Sequence, residues 1–312
     1  MSRKRGRSAL QQEVLLAAGE SRANHFSRMA EARRAEWKEQ LVDTGWALVR
    51  LTGIGGDGEA RRVQSATLAA RIAGLVAPKI KHLGELLFHE IEVEKWPQWN
   101  RSTSAFSPQF TTDAGEGSRM QVPAERADRD YLLSRWLSRL RRHVDAAKRE
   151  IRAALGHMTI GDTHYVLSLA GQEVQPPHVD SHRTRALRAL CRSRPDHAPL
   201  SVFVSAQYGT RLRIWPRTHR LLEKEPPRRT SGDKDDGDDE QYTHRDITIP
   251  PGHMLIIRYD LLHAGLAYAR PNVRVHFYVS SPLADESLLH DSNLEPLEVM
   301  PLYIRRQVVV VG

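Results

Sequence analysis

The sequence predicts an α+β fold in which helices pack on one side of an antiparallel barrel or jelly roll. Two observations support this prediction. Helical periodicity dominates the chain up to about residue 159, and short β-rich segments bounded by turns dominate the chain after residue 160. Helices that come first and strands that follow are typical of an α+β chain with the helices on one side of the sheet.

The N-terminal half carries the helical signals. Residues 24–43 predict a charged helix, residues 45–51 a short strand and residues 59–92 one or two more helices. The clearest helix runs from about Glu125 to Leu155 and ends at Gly156, a natural helix stop. Its apolar residues recur at helical spacing: Leu133, Trp136, Leu137, Leu140, Val144, Ala147, Ile151 and Leu155.

Six short segments in the C-terminal half have strand character and are bounded by turns. They are residues 163–170, 200–206, 211–215, 246–250, 254–258 and 273–281. Six such segments in one block predict an antiparallel barrel or jelly roll. Residues 221–245 interrupt the block with paired prolines and a like-charge run, and they predict a long disordered insertion.

Composition limits the class of protein. The chain has 312 residues, 40% of them hydrophobic, which is enough for a substantial core, and no apolar run approaches the roughly 20 residues of a membrane span. The lone Cys191 excludes a disulfide framework and favours an intracellular location, cytoplasmic or nuclear. We expect a basic tail over 1–24, a mainly helical region over 25–159, a β-rich core over 160–285 and an extension over 286–312.

The net charge of +8 is unevenly distributed. Residues 233–240 hold six acids and one lysine, so the rest of the chain carries +13. The first interpretation of this positive charge is a solvated, arginine-rich surface. A basic surface can also attract nucleic acid, phosphorylated metabolites or acidic lipid, so nucleic acid remains a possible partner.

His178-Val179-Asp180 is the strongest chemical feature of the sequence. It follows two prolines at the end of a predicted strand. Residues two apart in an extended segment point to the same face, so the imidazole and the carboxylate can bind one metal ion. A second histidine would complete a two-His-one-carboxylate set, which leaves three octahedral positions open, as non-haem Fe(II) oxygenases require.

His263 is the best candidate for the second histidine, because a hydrophobic strand over 254–258 precedes it and leads to a turn. His253 and His276 are its rivals. His253 falls at a predicted turn and His276 lies deep in a strand, so His263 is preferred.

Arg274 follows His263 by eleven residues on a strand of alternating character. Arg274, His276 and Tyr278 share one face, and the apolar residues Val273, Val275, Phe277 and Val279 share the other. If the Arg274 face points into the barrel, its guanidinium needs an anionic partner, and a carboxylate held in bidentate fashion would satisfy it. Arg270 is the rival, although Pro271 and Asn272 favour a loop there.

Together, His178-x-Asp180, His263 and Arg274 resemble the iron- and 2-oxoglutarate-dependent dioxygenases, in particular the phytanoyl-CoA dioxygenase-like branch. The resemblance spans about residues 160–281. Residues 209–220 and Pro251-Gly252-His253 resemble further turns of that family, and residues 43–50 resemble its early strand. Arg217 and Thr218 stand where Gly and Ser are usual, and His253 stands where Asp is common; these positions affect turn geometry.

The resemblance implies a double-stranded β-helix (jelly-roll, cupin-like) core. It also implies that His178, Asp180 and His263 are the catalytic metal ligands for Fe(II), and that Arg274 binds 2-oxoglutarate. Tyr165 and Ser168 lie on a strand leading to the site and are candidates to line the co-substrate pocket; the alternative for both is ordinary packing within the barrel. The expected reaction uses 2-oxoglutarate and O2, with ascorbate as a reductant, and releases succinate and CO2.

The substrate is not written in these motifs. The family-level expectation is hydroxylation of a small-molecule or lipid-like substrate. The alternatives are a nucleic-acid base, bound through the basic surface, and a protein side chain. Two further alternatives are a barrel that binds without catalysis and a zinc-dependent hydrolase. The complete ligand set and Arg274 argue against the first, and Arg274 alone argues against the second, which could use the same three ligands.

Overall fold

The computed structural model describes about half of the chain, including all of the residues of the predicted site. The described residues are 22–51, 119–124, 131–168, 170–171, 174–180, 184–205, 208–223, 241–284, 295–296, 300, 305 and 307–309. The predicted helices over 59–92 and the acidic residues 233–240 lie outside this set. Within it, no helix is both long and apolar enough to span a bilayer.

Among the described residues, the two long helices lie in the N-terminal half, as the sequence predicts, whereas two short helices in the C-terminal half were not predicted. The α-helices are α1 (Arg22–Thr44), α2 (Tyr131–Ala154), α3 (Arg185–Ser193) and α4 (Thr218–Glu223), and a 3-10 helix spans Pro195–His197. The strands are β1 (Trp46–Arg50), β2 (Arg119–Pro123), β3 (Thr159–Ser168), β4 (His178–Val179), β5 (Leu200–Ser205), β6 (Arg211–Ile214), β7 (Arg245–Thr248), β8 (His253–Arg258), β9 (His263–Gly265), β10 (Asn272–Ser280) and β11 (Glu295–Pro296).

The described strands form two antiparallel sheets. One has the order β1-β8-β5-β10-β3-β2 and the other the order β11-β4-β9-β6-β7. Along the chain, β3, β5, β8 and β10 enter the first sheet, and the strands between them enter the second. This alternation between two facing sheets is the winding of a jelly roll, the double-stranded β-helix. The predicted α+β jelly-roll fold is therefore confirmed.

Strand β10 separates the hydrophobic core from the interior of the barrel. Val273, Val275, Phe277 and Val279 belong to the largest core cluster, as the alternation of the sequence predicts. Arg274, His276 and Tyr278 take the intervening positions and point to the other face. The antiparallel partners of β10 are β3 on one side and β5 on the other, so the strand lies in the middle of its sheet.

Helices α1 and α2 cover the outer face of the larger sheet. Trp37 and Leu41 of α1 join the same core cluster as Val144, Ala147 and Ile151 of α2. An ion pair also joins the two helices, since Arg33 Nη2 lies 3.2 Å from the buried Glu150 Oε1. The predicted packing of helices on one side of the barrel is confirmed for these two helices.

The sequence did not predict β2, β4, β9 or β11. Each has five residues or fewer, and β4 has only two, so the period-two signal is too short to detect. β1 and β2 come from the region predicted to be mainly helical and extend the larger sheet at its two edges. In the predicted C-terminal extension, Val308 forms a bridge with Tyr242, and β11 pairs with β4.

Gly45 connects α1 to β1 at a tightly packed point. Its φ is +84°, a conformation that costs a residue with a side chain roughly 1–2 kcal/mol. Its carbonyl accepts a hydrogen bond of 2.8 Å from Arg258 N. A Cβ at this position would lie 2.6 Å from both His219 Nδ1 and Leu261 Cδ1, so the packing also requires glycine.

We predict that Gly45→Ala lowers the free energy of unfolding by about 2–4 kcal/mol, because strain and overpacking add. Gly209→Ala is the matched control, since Gly209 also has a φ of +84° but an added Cβ would meet nothing within 4 Å. We expect Gly209→Ala to cost about 1–2 kcal/mol. Chemical denaturation measures both; equal losses would contradict the packing argument.

His219 is a buried histidine beside this connection. Its Nε2 lies 3.2 Å from Val42 O and donates a hydrogen bond to it. Burial, followed by the positive charge of Arg258, lowers the pKa of His219 from 6.5 to about 4. The folded protein therefore holds a neutral imidazole here at pH values where the unfolded chain is already protonated.

We predict that this difference destabilises the protein in mild acid. The unfolded chain takes up the proton near pH 6.5, and the folded protein only near pH 4. The free energy of unfolding therefore falls as the pH drops through this window. Between pH 7.5 and 5.5, His219→Gln should reduce this loss by about 1 kcal/mol, measured by denaturation at both pH values. An unchanged pH dependence would contradict the prediction.

Candidate metal centre

Two short neighbouring strands bring the predicted histidine ligands together. His178 of β4 and His263 of β9 are directly opposed register partners, and their ring centroids lie 4.5 Å apart. Asp180 follows β4, and its backbone N donates a hydrogen bond of 3.1 Å to Tyr259 O, in the turn that leads to β9. The pairing of strands thus places all three side chains at one point.

The three side chains can hold one metal ion. Each offers a ligand atom, and these atoms lie within 4.8 Å of one another. Asp180 Oδ1 lies 3.3 Å from His263 Nε2 and 4.0 Å from His178 Nε2. The structure therefore brings together the three residues that the sequence selects as ligands.

Backbone carbonyl groups orient both imidazole rings. His178 Nδ1 lies 2.8 Å from Pro176 O, and His263 Nδ1 lies 3.0 Å from Leu261 O. Because a carbonyl only accepts, each Nδ1 carries the proton and donates it. Metal-binding histidines commonly have this arrangement, since it directs Nε2 toward the ion.

The local charges favour an ionised Asp180. Burial raises the pKa of this carboxyl, but the charges and hydrogen bond of the neighbouring His263, with His178, outweigh burial and lower the pKa well below its usual range. In the opposite sense, burial lowers the pKa of His263, and Asp180 outweighs burial and raises it. Asp180 is therefore a buried carboxylate, and a bound cation can take the place of the positive charge that His263 supplies to it.

Ser201 on β5 supports Asp180 from the adjacent sheet. Its Oγ donates a short hydrogen bond to Asp180 Oδ2, the oxygen other than the one that faces the histidines. Ser201 is fully buried and was not predicted from the sequence. The bond fixes the orientation of the carboxylate and leaves Oδ1 directed at His178 and His263.

Arg274 is the buried cation of the same interior. Its Nη1 donates a hydrogen bond of 2.9 Å to Ser168 Oγ on β3, so Ser168 lies beside Arg274. Burial lowers the pKa of Arg274, and interaction with Tyr268 partly offsets this effect. Among the described residues no carboxylate pairs with Arg274, and its Nε has no hydrogen-bond partner.

Tyr165 does not join this site, contrary to the sequence-based prediction. It lies in the main core cluster under the helices. Residues 165 and 168 are three positions apart on β3, so their side chains leave the strand on opposite faces. Ser168 therefore faces the barrel interior with Arg274, and Tyr165 faces the core.

His253 and His276, the alternatives to His263 as the second histidine ligand, lie outside the candidate metal centre. His276 lies inside the barrel, where it stacks on Phe203 with ring centroids 4.7 Å apart. Burial lowers its pKa to about 3, so it is neutral, and its Nε2 has no hydrogen-bond partner among the described residues. His253 is partly exposed at the start of β8. Neither belongs to the group of three ligands.

A polar network beside Arg274 was not predicted from the sequence. Thr210 Oγ1 accepts a hydrogen bond of 3.1 Å from Asn272 Nδ2 and lies 3.0 Å from Ser205 Oγ. Tyr268 Oη donates a hydrogen bond of 2.6 Å to Arg211 O. These residues come from four separate segments, so only the sheet register reveals that they are neighbours.

Comparison with known proteins gives structural neighbours of low sequence identity. No protein-family model matches the sequence, and no curated protein matches it. SnoN, a non-haem α-ketoglutarate-dependent epimerase from nogalamycin biosynthesis, is 13% identical over 83% of this chain and 87% of its own, with a TM-score of 0.44. AviO1 from Streptomyces viridochromogenes is 13% identical over 81% and 96%, with a TM-score of 0.45.

A prolyl-4-hydroxylase from Pseudomonas putida is also similar, with 13% identity over 80% of this chain and 98% of its own and a TM-score of 0.37. These values record a general likeness in shape. The strand order and the ligand geometry therefore define the protein on their own: it is a double-stranded β-helix protein with a buried two-His-one-carboxylate group.

We predict that Ser201→Ala weakens metal binding by roughly tenfold, because loss of a group that orients a ligand typically has an effect of this size. Ser205→Ala is the matched control, since this buried serine of the same strand bonds to Thr210 and not to Asp180. Anaerobic titration with Co²⁺ measures both affinities. Equal affinities in the two variants would contradict a supporting role for Ser201.

Proposed function

We propose that the protein is an Fe(II)- and 2-oxoglutarate-dependent dioxygenase that hydroxylates a C–H bond of a small-molecule or lipid-like substrate. One observation carries the proposal. A buried His-Asp-His group and a buried arginine without a carboxylate partner among the described residues lie in the same barrel interior. Each part has other uses, but together they provide a metal site beside an anion site.

The donor set fits iron. Two imidazole nitrogens and one carboxylate oxygen form the facial set of non-haem Fe(II) oxygenases, which leaves further coordination positions for the reactants. The backbone carbonyls of Pro176 and Leu261 hold the two rings with Nε2 inward, and Ser201 holds Asp180. His178, Asp180 and His263 would therefore bind the metal through ligands that are oriented in advance.

The surroundings of Arg274 fit a dicarboxylic co-substrate. A guanidinium buried without an anion is unfavourable, so this site favours an anionic ligand. The unpartnered Nε and the adjacent Nη groups can bind a carboxylate in bidentate fashion, and Ser168 Oγ adds a hydroxyl group beside it. Arg274 would bind the carboxylate of 2-oxoglutarate that is remote from the metal.

Iron and 2-oxoglutarate, when bound, would supply oxidative decarboxylation coupled to C–H hydroxylation, in which one atom of O2 enters succinate, the other enters the hydroxylated product, and CO2 is released. The protein contributes position and environment. His178, Asp180 and His263 fix the metal, Arg274 and Ser168 orient the co-substrate, and Phe203 and His276 form a buried wall of the interior. A site this well enclosed keeps water away from the reacting groups.

The burial of the site supports a small or slender substrate. The side chains of His178, Asp180 and His263 are 9%, 6% and 4% exposed. The reacting carbon must therefore belong to a group narrow enough to approach an enclosed centre. A small molecule or a chain-like lipid meets this requirement without rearrangement of the substrate.

The test is anaerobic addition of Fe(II) and then 2-oxoglutarate to the purified protein. We expect the weak visible charge-transfer band of an iron-chelated 2-keto acid. Asp180→Ala should abolish the band, because it removes the charged ligand. Arg274→Ala should keep the metal but require at least about a hundredfold more 2-oxoglutarate, because a charge-assisted bidentate contact is lost.

Arg270→Ala is the matched control, since Arg270 is an exposed arginine of the loop that precedes β10. It should bind 2-oxoglutarate as the unmodified protein does. Metal binding without any band would overturn the proposal and favour a zinc site or a barrel without catalysis. Once the band is established, succinate release identifies the substrate among small molecules and lipids.

A further inference from the structure

A second group of metal-binding side chains lies outside the barrel interior. It consists of His157, Asp196 and His197. His157 follows the C-terminal end of α2, and the other two residues belong to the 3-10 helix between α3 and β5. Each side chain offers one ligand atom, and the three atoms lie within 4.8 Å of one another.

Hydrogen bonds position both histidines of this cluster, one to Ser281 outside the cluster and one to the backbone of Asp196 within it. His197 Nδ1 lies 3.0 Å from Ser281 Oγ, which leaves His197 Nε2 directed at Asp196 Oδ2, 3.8 Å away. His157 Nε2 lies 3.2 Å from the backbone oxygen of Asp196, and the two imidazole centroids are 4.3 Å apart. His197 therefore has the common arrangement of a histidine metal ligand, with one ring nitrogen hydrogen-bonded and the other left for an ion.

We propose that His157, Asp196 and His197 form a second metal site, separate from the barrel interior, which binds a first-row transition ion such as Zn²⁺. Two imidazoles and one carboxylate suit Zn²⁺ and its neighbours, whereas Ca²⁺ and Mg²⁺ prefer oxygen ligands. Three protein ligands leave a fourth position for water. This proposal does not depend on the proposed oxygenase function.

The site has a route for an ion to enter. His157 and Asp196 line a surface cavity of about 600 Å³, whose other charged residues are Lys38, Glu39, Asp43 and Arg220. The Asp196 side chain is 62% exposed, and that of His197 is 13% exposed. An ion can therefore reach the carboxylate from solvent and then engage the more buried imidazole.

Metal binding here would connect parts of the fold that are distant in the sequence. His157 belongs to the end of α2, Asp196 and His197 belong to the 3-10 helix, and Ser281, which orients His197, directly follows β10. A ligand that binds only the folded state stabilises that state in proportion to its concentration. The expected role is therefore to stabilise the junction of α2 with the barrel.

The experiment counts Zn²⁺ ions per chain by equilibrium dialysis and metal analysis. His197→Ala should bind one ion fewer than the unmodified protein, and so should His263→Ala, which removes a ligand of the barrel site. The double variant should bind two fewer. His253→Ala, a partly exposed histidine outside both clusters, is the matched control and should bind the full number.

A conservative variant separates ligand loss from misfolding. Asp196→Asn keeps the shape of the side chain and the backbone oxygen that faces His157, and should weaken binding at this site by at least about tenfold. In the His263→Ala background, Zn²⁺ should raise the melting temperature, and adding Asp196→Asn should remove that rise. Unchanged metal content in both His197→Ala and Asp196→Asn would overturn the second site and leave the proposed function untouched.

Discussion

The register in which β4 pairs with β9 is the constraint on which the candidate metal centre depends. His178 stands directly opposite His263, and a slip of one residue would turn one of the two side chains to the other face. A pairing this short does not fix the register alone.

Hydrogen bonds from neighbouring segments hold the turn before β9 in place. Asp180 N donates to Tyr259 O. Leu262 O accepts from Trp215 N, and Leu262 N donates to Thr218 Oγ1.

The two faces of the larger sheet have different roles. Its outer face packs against α1 and α2 through residues such as Val275 and Phe277, and this burial supplies much of the hydrophobic core. Its inner face carries Arg274, Ser168 and Ser201, the polar groups that surround the candidate centre. Side chains alternate along each strand, so the same strands carry the apolar core on one face and the polar site on the other. No loop separates the two.

The sequence predicted what local spacing determines. The structure keeps two predicted patterns, the same-face placement of His178 and Asp180 and the alternation around Arg274. Both follow from extended backbone geometry. The prediction that Tyr165 lines the co-substrate pocket was wrong for the same geometric reason. Its separation of three residues from Ser168 puts its side chain on the face of β3 that packs into the core. Ser201 and the Thr210 network could not be predicted, because contact between distant segments depends on a sheet register that no local pattern encodes.

The close packing at Gly45 ties the N-terminal helix to the loop that presents His263. The backbone oxygen of Gly45 bonds to Arg258 N, and the glycine leaves room for His219 and Leu261, whose carbonyl orients the His263 ring. Equilibria that share such a contact are reciprocal. If docking of α1 helps to order this loop, then a cation bound at His263 would strengthen the docking of α1 by the same free energy. Filling the candidate centre would thus also hold the helix in place.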